Sequence, residues 1–321
     1  MKNQATDKEE KDIQDLIDTM KAFLEKTYPD GNVKRNFHPK MHGCLKGRLQ
    51  IRRNIPEPLR QGLFQNTQSF EVWLRFSNAP PKIQTDKNSS GRGLAIKVLE
   101  VPGEVSEIDP IGVNCQNLLL TTSPILSAWN IPLYRKAIRA VLFGWKERLL
   151  FVLHPGHWRS LFLTLKHSKK HDNLLAQRYF SGGAFRYGPE MYVKFLLIPH
   201  RPHLGYTLGG PKTDNFLKEQ LKKDLQHEEH AFALHIQIHE NCKSEPLENT
   251  SVEWKKESIP VADLWIPPQE FDYAERVAFG EGLSFSPWVC MIDHEPVGAI
   301  NRARKRVYQE LAAFRKSKKS V

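Results

Sequence analysis

The sequence predicts an α+β fold whose core is an antiparallel β-sheet or barrel. Two sets of segments alternate apolar and polar side chains, as β-strands do, and a basic helical insertion separates the two sets. Helical patterns also stand near both ends of the chain. With 321 residues, of which 40% are hydrophobic, the chain is long enough to bury a sizeable core.

An amphipathic helix is predicted near the N-terminus, over residues 7–28. Its apolar residues recur at helical spacing, and the pattern ends before a Pro-Asp-Gly sequence that favours a turn. We therefore divide the chain into a helical arm, residues 1–30, and a barrel domain, residues 31–321, which carries a helical insertion at about residues 125–178.

Strands are predicted on both sides of the insertion, where segments alternate in polarity or are rich in β-branched and aromatic residues. The chain after Pro260 is punctuated by prolines, and it is predicted to be irregular until a final helix. The strand-like segments are residues 45–51, 70–76, 93–101, 118–120, 191–199 and 232–238.

Composition limits the partners and the compartment. The 47 Lys and Arg residues exceed the 36 Asp and Glu residues, so the net charge of +11 favours anionic partners. No nucleic-acid-binding motif accompanies this charge, so nucleic acid is not the expected partner. Four cysteines without a CxxC pair indicate neither a zinc site nor a disulfide framework. A polar N-terminus without an apolar signal core predicts a cytoplasmic protein.

The insertion is both basic and rich in leucine, phenylalanine and tryptophan over residues 131–167. Because charged residues interrupt every stretch of about 20 residues, a transmembrane helix is not predicted. The pattern is typical of helices that lie on a protein surface or face lipid. A peripheral contact with lipid or a membrane is therefore one expectation for this segment.

The final helix places Tyr308 between two cations. At ~100° per residue, Arg304, Tyr308 and Arg315 fall on one narrow stripe beside an apolar face. Arg304, one turn earlier, favours the ionised phenolate, which is a hard ligand suited to ferric iron and holds haem iron in some enzymes. Arg315 could then meet a haem propionate. The alternative is an amphipathic helix with a basic, snorkelling edge.

A second group of candidate residues precedes the first predicted strand. His38 follows Arg35 by three residues, and a neutral imidazole can take a proton from one peroxide oxygen and return it to the other. His42, four residues further on, remains an alternative for this role.

Five segments in the same order resemble the motifs of haem catalases, and they span most of the chain. The first has the pattern Arg-x-x-His-x-Lys, and the last has the pattern Arg-x-x-x-Tyr. The segments are residues 35–40, Leu74-Arg75-Phe76-Ser77, residues 92–98, Thr122-Ser123-Pro124 and residues 304–308.

The resemblance implies an antiparallel β-barrel that encloses haem b. Tyr308 would be the iron ligand, held as a phenolate by Arg304. His38 would be the catalytic histidine, with Ser77 as its hydrogen-bond partner and Thr122 in place of an asparagine of the family. The propionates would bind the remaining cations, Arg35, Arg75 and Arg315.

Departures from the family's pattern shape the expected function. Thr122 has a shorter reach than asparagine, Phe37 replaces a smaller residue beside the histidine, and Ser90 replaces an aspartate of the access channel. The chain also resembles the minimal, catalase-related branch. We therefore expect a haem-dependent peroxidase that acts on organic or fatty-acid hydroperoxides or on hydrogen peroxide, working as a homo-oligomer, a dimer. A true catalase is the first alternative, and a non-enzymatic haem or lipid-binding protein is the second.

Overall fold

A computed structural model describes residues 6–202, 211–240 and 244–318. Runs of strands are separated by runs of helices, as in an α+β fold, so the predicted fold class is confirmed. In chain order the elements are α1 (Asp7–Thr27), β1 (Met41–Ile51), β2 (Ser69–Asn78), β3 (Arg92–Leu99), β4 (Cys115–Thr121), α2 (Ile131–Leu142), α3 (Trp145–Leu153), α4 (Trp158–His167), β5 (Tyr179–Phe180), β6 (Phe185–Tyr187), β7 (Met191–Pro199), α5 (Phe216–Asp224), β8 (His230–Ile238), β9 (Ile259–Ile266), α6 (Ala274–Gly282) and α7 (Ala299–Ser317).

Eight of the described strands close into an antiparallel barrel. Their order is β1-β2-β3-β4-β5-β7-β8-β9, and β9 pairs with β1 to complete the ring, while β6 pairs with β7 alongside β5. The closed ring leaves these strands without the exposed edges that favour aggregation. The predicted antiparallel barrel is therefore confirmed.

The barrel interior is filled by side chains, because each strand turns every second residue inward. All nine strands contribute to one continuous apolar cluster, in which Leu74 and Phe76 of β2 are fully buried. Arg75 and Ser77 alternate with them and therefore face outward. The predicted site residues Arg75 and Ser77 therefore lie on the face of β2 that is turned away from this apolar cluster.

Three helices cover that outer face near the predicted site. α1 begins with a capping box in which the Thr6 hydroxyl accepts from Glu9 N–H and the Glu9 carboxylate accepts from Thr6 N–H. The apolar faces of α1, α2 and α7 then bury one another in a second cluster. Its buried members are Ile13, Leu16, Ile17, Met20, Phe23, Leu24, Val33, Ile131, Ile138, Leu142, Ile300, Ala303 and Val307. The predicted N-terminal and C-terminal helices are therefore part of one layer.

The region after Pro260 is more regular than predicted. Residues 259–266 form β9, and α6 follows before the last helix. Proline lacks the N–H that a strand ladder needs, and the register between β8 and β9 shifts where Pro260 lies opposite His235. The bulge accommodates the proline, and the polarity pattern of the sequence does not reveal a bulge.

The predicted helical insertion consists of α2, α3 and α4, between β4 and β5. Only α2 contributes several buried residues, whereas α3 buries Phe151 and α4 buries Ser160. Across the described residues, no helix has both the length and the apolarity needed to cross a bilayer.

A buried histidine makes stability depend on pH. His294 accepts a hydrogen bond from Leu63 N–H at Nε2 (3.1 Å), and its Nδ1 is buried without a partner. Burial lowers its pKa from 6.5 to about 4. The folded protein therefore disfavours the protonated ring, and the associated stability is complete above pH 6.5 and is lost as the pH falls towards 4.

We predict that the free energy of unfolding falls between pH 6.5 and 4, and that His294 contributes on the order of 3 kcal/mol to this fall. His294→Gln keeps an acceptor for Leu63 N–H and removes the titrating group, so its stability should vary less over this range. Urea unfolding at several pH values measures the difference. Parallel curves for the two proteins would contradict the assignment.

Candidate functional site

The site lies on the outer face of β2 and β3. The turn before β1 places His38 against this face. Its Nδ1 lies 3.0 Å from Ser77 Oγ, and its backbone N–H donates to Ala79 O (3.3 Å). The backbone of His38 is left-handed, with φ of 60°. This conformation is uncommon for residues other than glycine and carries a cost that the surrounding contacts must offset.

Gly93 leaves the space that the His38 ring uses. Gly93 pairs with Ser77 across the sheet, and a Cβ on Gly93 would overlap Cε1 and Nδ1 of His38 and lie 3.0 Å from Ser77 Oγ. The imidazole therefore packs directly on the backbone of β3. Position 93 must be glycine for the ring to keep both this packing and its hydrogen bond.

The charges around His38 keep its ring neutral. Burial, followed by the positive charges of Arg75, Arg35 and Arg304, lowers the pKa of His38 from 6.5 to about 3. The side chain nevertheless retains accessible surface. A neutral imidazole that is surrounded by protein and still accessible can exchange a proton with a bound molecule.

Two guanidinium groups share the carboxylate of Glu281, at the end of α6. Arg75 Nη2 lies 3.1 Å from Glu281 Oε1, and Arg35 Nη1 lies 3.4 Å from Glu281 Oε2. Arg35 also donates to Leu283 O (2.5 Å) and Gly280 O (3.4 Å). Arg75 Nε is buried without a hydrogen-bond partner. The carboxylate thus compensates only part of the positive charge.

Arg315 adds a third cation to the same place. Burial, and then the charges of Arg75 and Arg315, lower the pKa of Arg35 well below its usual range. Burial and the charge of Arg75 likewise lower the pKa of Arg315. Arg35, Arg75 and Arg315 are therefore close enough to interact, with Glu281 as the counter-charge that acts on all three.

Arg304 and Tyr308 form a pair on α7. Arg304 Nη2 lies 3.4 Å from the Tyr308 hydroxyl, its Cζ lies 5.4 Å from the ring centroid, and its Nη1 donates to Asn301 Oδ1 (3.0 Å). Burial lowers the pKa of Arg304, but the charge and hydrogen bond of Tyr308, with a contribution from Tyr134, raise it above its usual value. The guanidinium is therefore firmly charged beside the phenol oxygen.

A second tyrosine stands beside this pair. Burial raises the pKa of Tyr134, on α2, to about 12, although Arg304 acts in the opposite direction. Tyr134 is therefore a protonated phenol at neutral pH. It also provides a matched control for Tyr308, because the two tyrosines share the same cation.

Thr122 makes its contacts away from His38. Its Oγ accepts from Arg92 N–H (3.1 Å) and lies 3.3 Å from His171 Nε2. Gln177 donates to Asn173 O, so its Oε1 accepts from His171 Nδ1 (2.9 Å) and leaves His171 Nε2 as an acceptor. The Thr122 hydroxyl proton is thus directed to His171, and the structure does not bring Thr122 into contact with His38.

His42, the alternative to His38, lies in a separate buried network. Its Nε2 is 2.8 Å from Asn78 Oδ1, and Asn78 in turn donates to Asp86 (2.8 Å). Lys40 pairs with the same carboxylate at 2.7 Å. His42 therefore belongs to the wall of the barrel. Phe37 packs into the cluster of α1, α2 and α7, so it does not narrow the space beside His38.

Comparison with known proteins identifies the fold but no sequence family. No family model matches the sequence, and no curated protein is similar to it. A fungal catalase structure aligns with a TM-score of 0.70 at 13% identity, covering 91% of this chain and 61% of that one. The fold is that of the catalases.

Two further catalase structures give the same result. A bacterial catalase aligns with a TM-score of 0.67 at 14% identity, over 91% of this chain and 59% of its own. Catalase A from Saccharomyces cerevisiae aligns with a TM-score of 0.69 at 13% identity, covering 91% of this chain and 62% of that one. The chain thus spans about three fifths of the length of these catalases. At this identity the likeness establishes the catalase fold, and function must be argued from the site.

Sequence reasoning missed Glu281 and Tyr134. Glu281 lies in the segment Gly280-Glu281-Gly282, whose two glycines hide the helix that carries the carboxylate. Tyr134 sits on the amphipathic helix α2, where a tyrosine is ordinary. Only the spatial arrangement of the catalase fold shows that both side chains act on the predicted cations.

The residues of the site fit a haem. The gathered arginines, with a single shared carboxylate and the unpartnered Nε of Arg75, suit a ligand that brings two carboxylates. Tyr308 offers a phenol oxygen beside a cation, which is the donor that ferric haem accepts from tyrosine. Within the described residues, no group of three His, Cys, Asp or Glu side chains is arranged to hold a metal ion.

We predict opposite effects of two substitutions on the cofactor-free protein. Glu281→Gln should lower the free energy of unfolding, because it leaves two cations without their counter-charge. The decrease should be about 1–3 kcal/mol, because the partly exposed carboxylate is screened by solvent. Arg315→Gln should leave stability unchanged or raise it, because it removes repulsion. Urea denaturation of both variants measures this. Equal stability of Glu281→Gln and the parent protein would show that the carboxylate does not compensate these cations.

Proposed function

We propose that this protein is a haem-dependent oxidoreductase that metabolises hydroperoxides, with peroxidase chemistry on organic or fatty-acid hydroperoxides or on hydrogen peroxide. One observation carries the proposal. The half-buried His38 lies within electrostatic range of Arg304, which in turn contacts the oxygen of Tyr308. This proximity supports His38 as a proton carrier and Tyr308 as an iron ligand beside a cluster of cations.

One tyrosine and a group of arginines would hold haem b. Tyr308 Oη would ligate the iron as a phenolate that Arg304 stabilises. The propionates would bind Arg35, Arg75 and Arg315, and they would share these cations with Glu281. When bound, haem would supply a ferric iron and the two electrons for cleavage of the O–O bond, and a small reductant would return those electrons.

His38 would move the proton. Its Nδ1 is bound to Ser77 Oγ, so Nε2 is the nitrogen left for a hydroperoxide. The Ser77 hydroxyl can either donate to Nδ1 or accept from it, and this lets Nε2 take a proton and return it without rotation of the ring. The nearby cations disfavour a lasting imidazolium, so the proton is passed on to the departing oxygen. The left-handed backbone and Gly93 fix the ring for this task.

The contacts of Thr122 favour a peroxidase over a true catalase. Its hydroxyl proton is directed to His171, so Thr122 offers no donor that could orient a second hydrogen peroxide in the way the family's asparagine does. The assignment therefore rests on Thr122, since Phe37 lies in the helical cluster. We further propose that the substrate is an organic or fatty-acid hydroperoxide or hydrogen peroxide, and that the protein acts as a dimer.

Titration of purified, cofactor-free protein with haemin tests the role of Tyr308. Tyr308→Phe should weaken haem binding about 100-fold, or about 2.8 kcal/mol, because it removes the anionic ligand. Tyr134→Phe is the matched control and should bind haem like the parent protein, since Tyr134 lies beside the same cation but is not the proposed ligand. Equal haem affinity and equal absorption spectra of Tyr308→Phe and Tyr134→Phe would refute ligation by Tyr308.

Substitution of His38 separates proton transfer from haem binding. His38→Asn tolerates the left-handed backbone and keeps a polar group for Ser77, but it provides no base. Its rate of reaction with a fatty-acid hydroperoxide should fall about 10²–10⁴-fold while its haem affinity is unchanged. An unchanged rate would instead favour a haem or lipid carrier without turnover. Oxygen release from hydrogen peroxide that exceeds hydroperoxide consumption would identify a true catalase.

A matched pair of glycine substitutions tests the position of the ring. Gly93→Ala places a Cβ against the His38 imidazole and should lower the rate about 100-fold, because misplacement by about 1 Å has effects of this size. Gly91→Ala meets only Ala79 Cβ at 3.5 Å, an ordinary contact, and should react like the parent protein. Stopped-flow mixing with hydroperoxide gives both rates. Similar rates for the two variants would mean that His38 does not act from this position.

A further inference from the structure

The helical insertion exposes an unusually apolar surface. Among the described residues, ten of the sixteen exposed large apolar side chains lie within residues 141–165. Leu165 is 74% exposed and Trp145 is 70% exposed. We call this surface the insertion face, and its apolar members are Val141, Phe143, Trp145, Leu149, Leu150, Val152, Leu153, Trp158, Phe162 and Leu165. A patch of this kind marks an interaction site.

The insertion face is also strongly basic. Residues 131–170 contain nine Lys or Arg residues and a single acidic residue, Glu147, which pairs with Arg139 at 3.0 Å. Arg135 is engaged by Asp12 and Asp15 of α1, at 3.1 and 3.0 Å. The other basic residues are exposed: Lys136, Arg139, Lys146, Arg148, Arg159, Lys166, Lys169 and Lys170. Their charge makes an anionic surface the complementary partner.

The dimensions of the helices suit attachment to a membrane surface. α3 has 9 residues and α4 has 10, whereas a span requires about 20. Trp145 and Trp158 are both exposed, and tryptophan prefers the boundary between lipid headgroups and acyl chains. Short helices with exposed apolar residues, tryptophans and flanking lysines or arginines lie in the plane of that boundary.

We propose that the insertion face binds the surface of a lipid bilayer that contains anionic lipids. A second copy of the chain would bring two sets of like charges together, whereas anionic headgroups neutralise them. The apolar side chains would enter the upper part of the bilayer, and the basic residues would bind the headgroups. The proposal depends on this surface alone and holds whether or not the chain binds haem.

The insertion face is continuous with the His171 and Thr122 region. The segment that follows α4 accepts a hydrogen bond at Lys169 O from Ser90 N–H (3.1 Å), in the loop between β2 and β3. Two residues later, His171 contacts Thr122 at the end of β4 (3.3 Å). Attachment to lipid would therefore hold one side of the candidate site next to the membrane.

Co-sedimentation of the full-length protein with vesicles tests the proposal. Vesicles of phosphatidylcholine with about one third phosphatidylglycerol should bind the protein, and the binding should weaken as sodium chloride is added. Vesicles of phosphatidylcholine alone should bind it at least about tenfold more weakly, since several basic residues lose their partners. Equal binding to the two vesicle types, or no binding to either, would overturn the proposal.

Matched substitutions locate the binding surface. Leu150→Asp combined with Leu165→Asp should reduce vesicle binding by about 100-fold or more, because it places charges where apolar side chains enter lipid. Ile108→Asp is the control, since Ile108 is 75% exposed but lies outside the insertion face. Equal loss of binding in both proteins would overturn the proposal. It would also be overturned if the double substitution converted a dimer to a monomer without changing vesicle binding.

Discussion

Repulsion among guanidinium groups is the constraint on which the site depends. Burial lowers the pKa of Arg35, Arg75 and Arg315, and repulsion from Arg75 lowers it further at Arg35 and Arg315. The negative charge of Glu281 opposes this lowering at all three. Cations held together in this way cost free energy unless anions join them. Burial and the same positive charges lower the pKa of His38, and Arg304 of this group contacts the Tyr308 hydroxyl. The proposed proton carrier and the proposed iron ligand therefore share one cluster of cations.

The barrel makes this arrangement possible by acting as a rigid wall. Its interior is filled with apolar side chains, so alternate residues of β2 and β3 must face the helices. The register sets Ser77 beside Gly93, and Arg75 beside Ala95 on the same face. His38 lies on this wall, while α7 supplies Arg304 and Tyr308 from the layer that covers it. The residues are far apart in the chain, and only the closed sheet and the helical layer beside it bring them together.

The sequence was sufficient to predict the fold class, the N-terminal and C-terminal helices and most barrel strands, because periodicity reports which faces are buried. It could not predict β9, since Pro260 is accommodated by a bulge at Val261 within that strand. Nor could it show that the Thr122 hydroxyl is committed to His171, or that His42 belongs to the Asp86 network. Such facts depend on contacts between distant segments. Glu281 was missed for the same reason, since a carboxylate between two glycines carries no pattern.

Resonance Raman spectroscopy of the haem-loaded protein tests the central claim most directly, because it reports the identity of the iron's axial ligand. Tyrosinate ligation by Tyr308 predicts enhanced phenolate vibrations that disappear in Tyr308→Phe and persist in Tyr134→Phe. A spectrum without phenolate vibrations, or one that Tyr308→Phe leaves unchanged, would contradict the account.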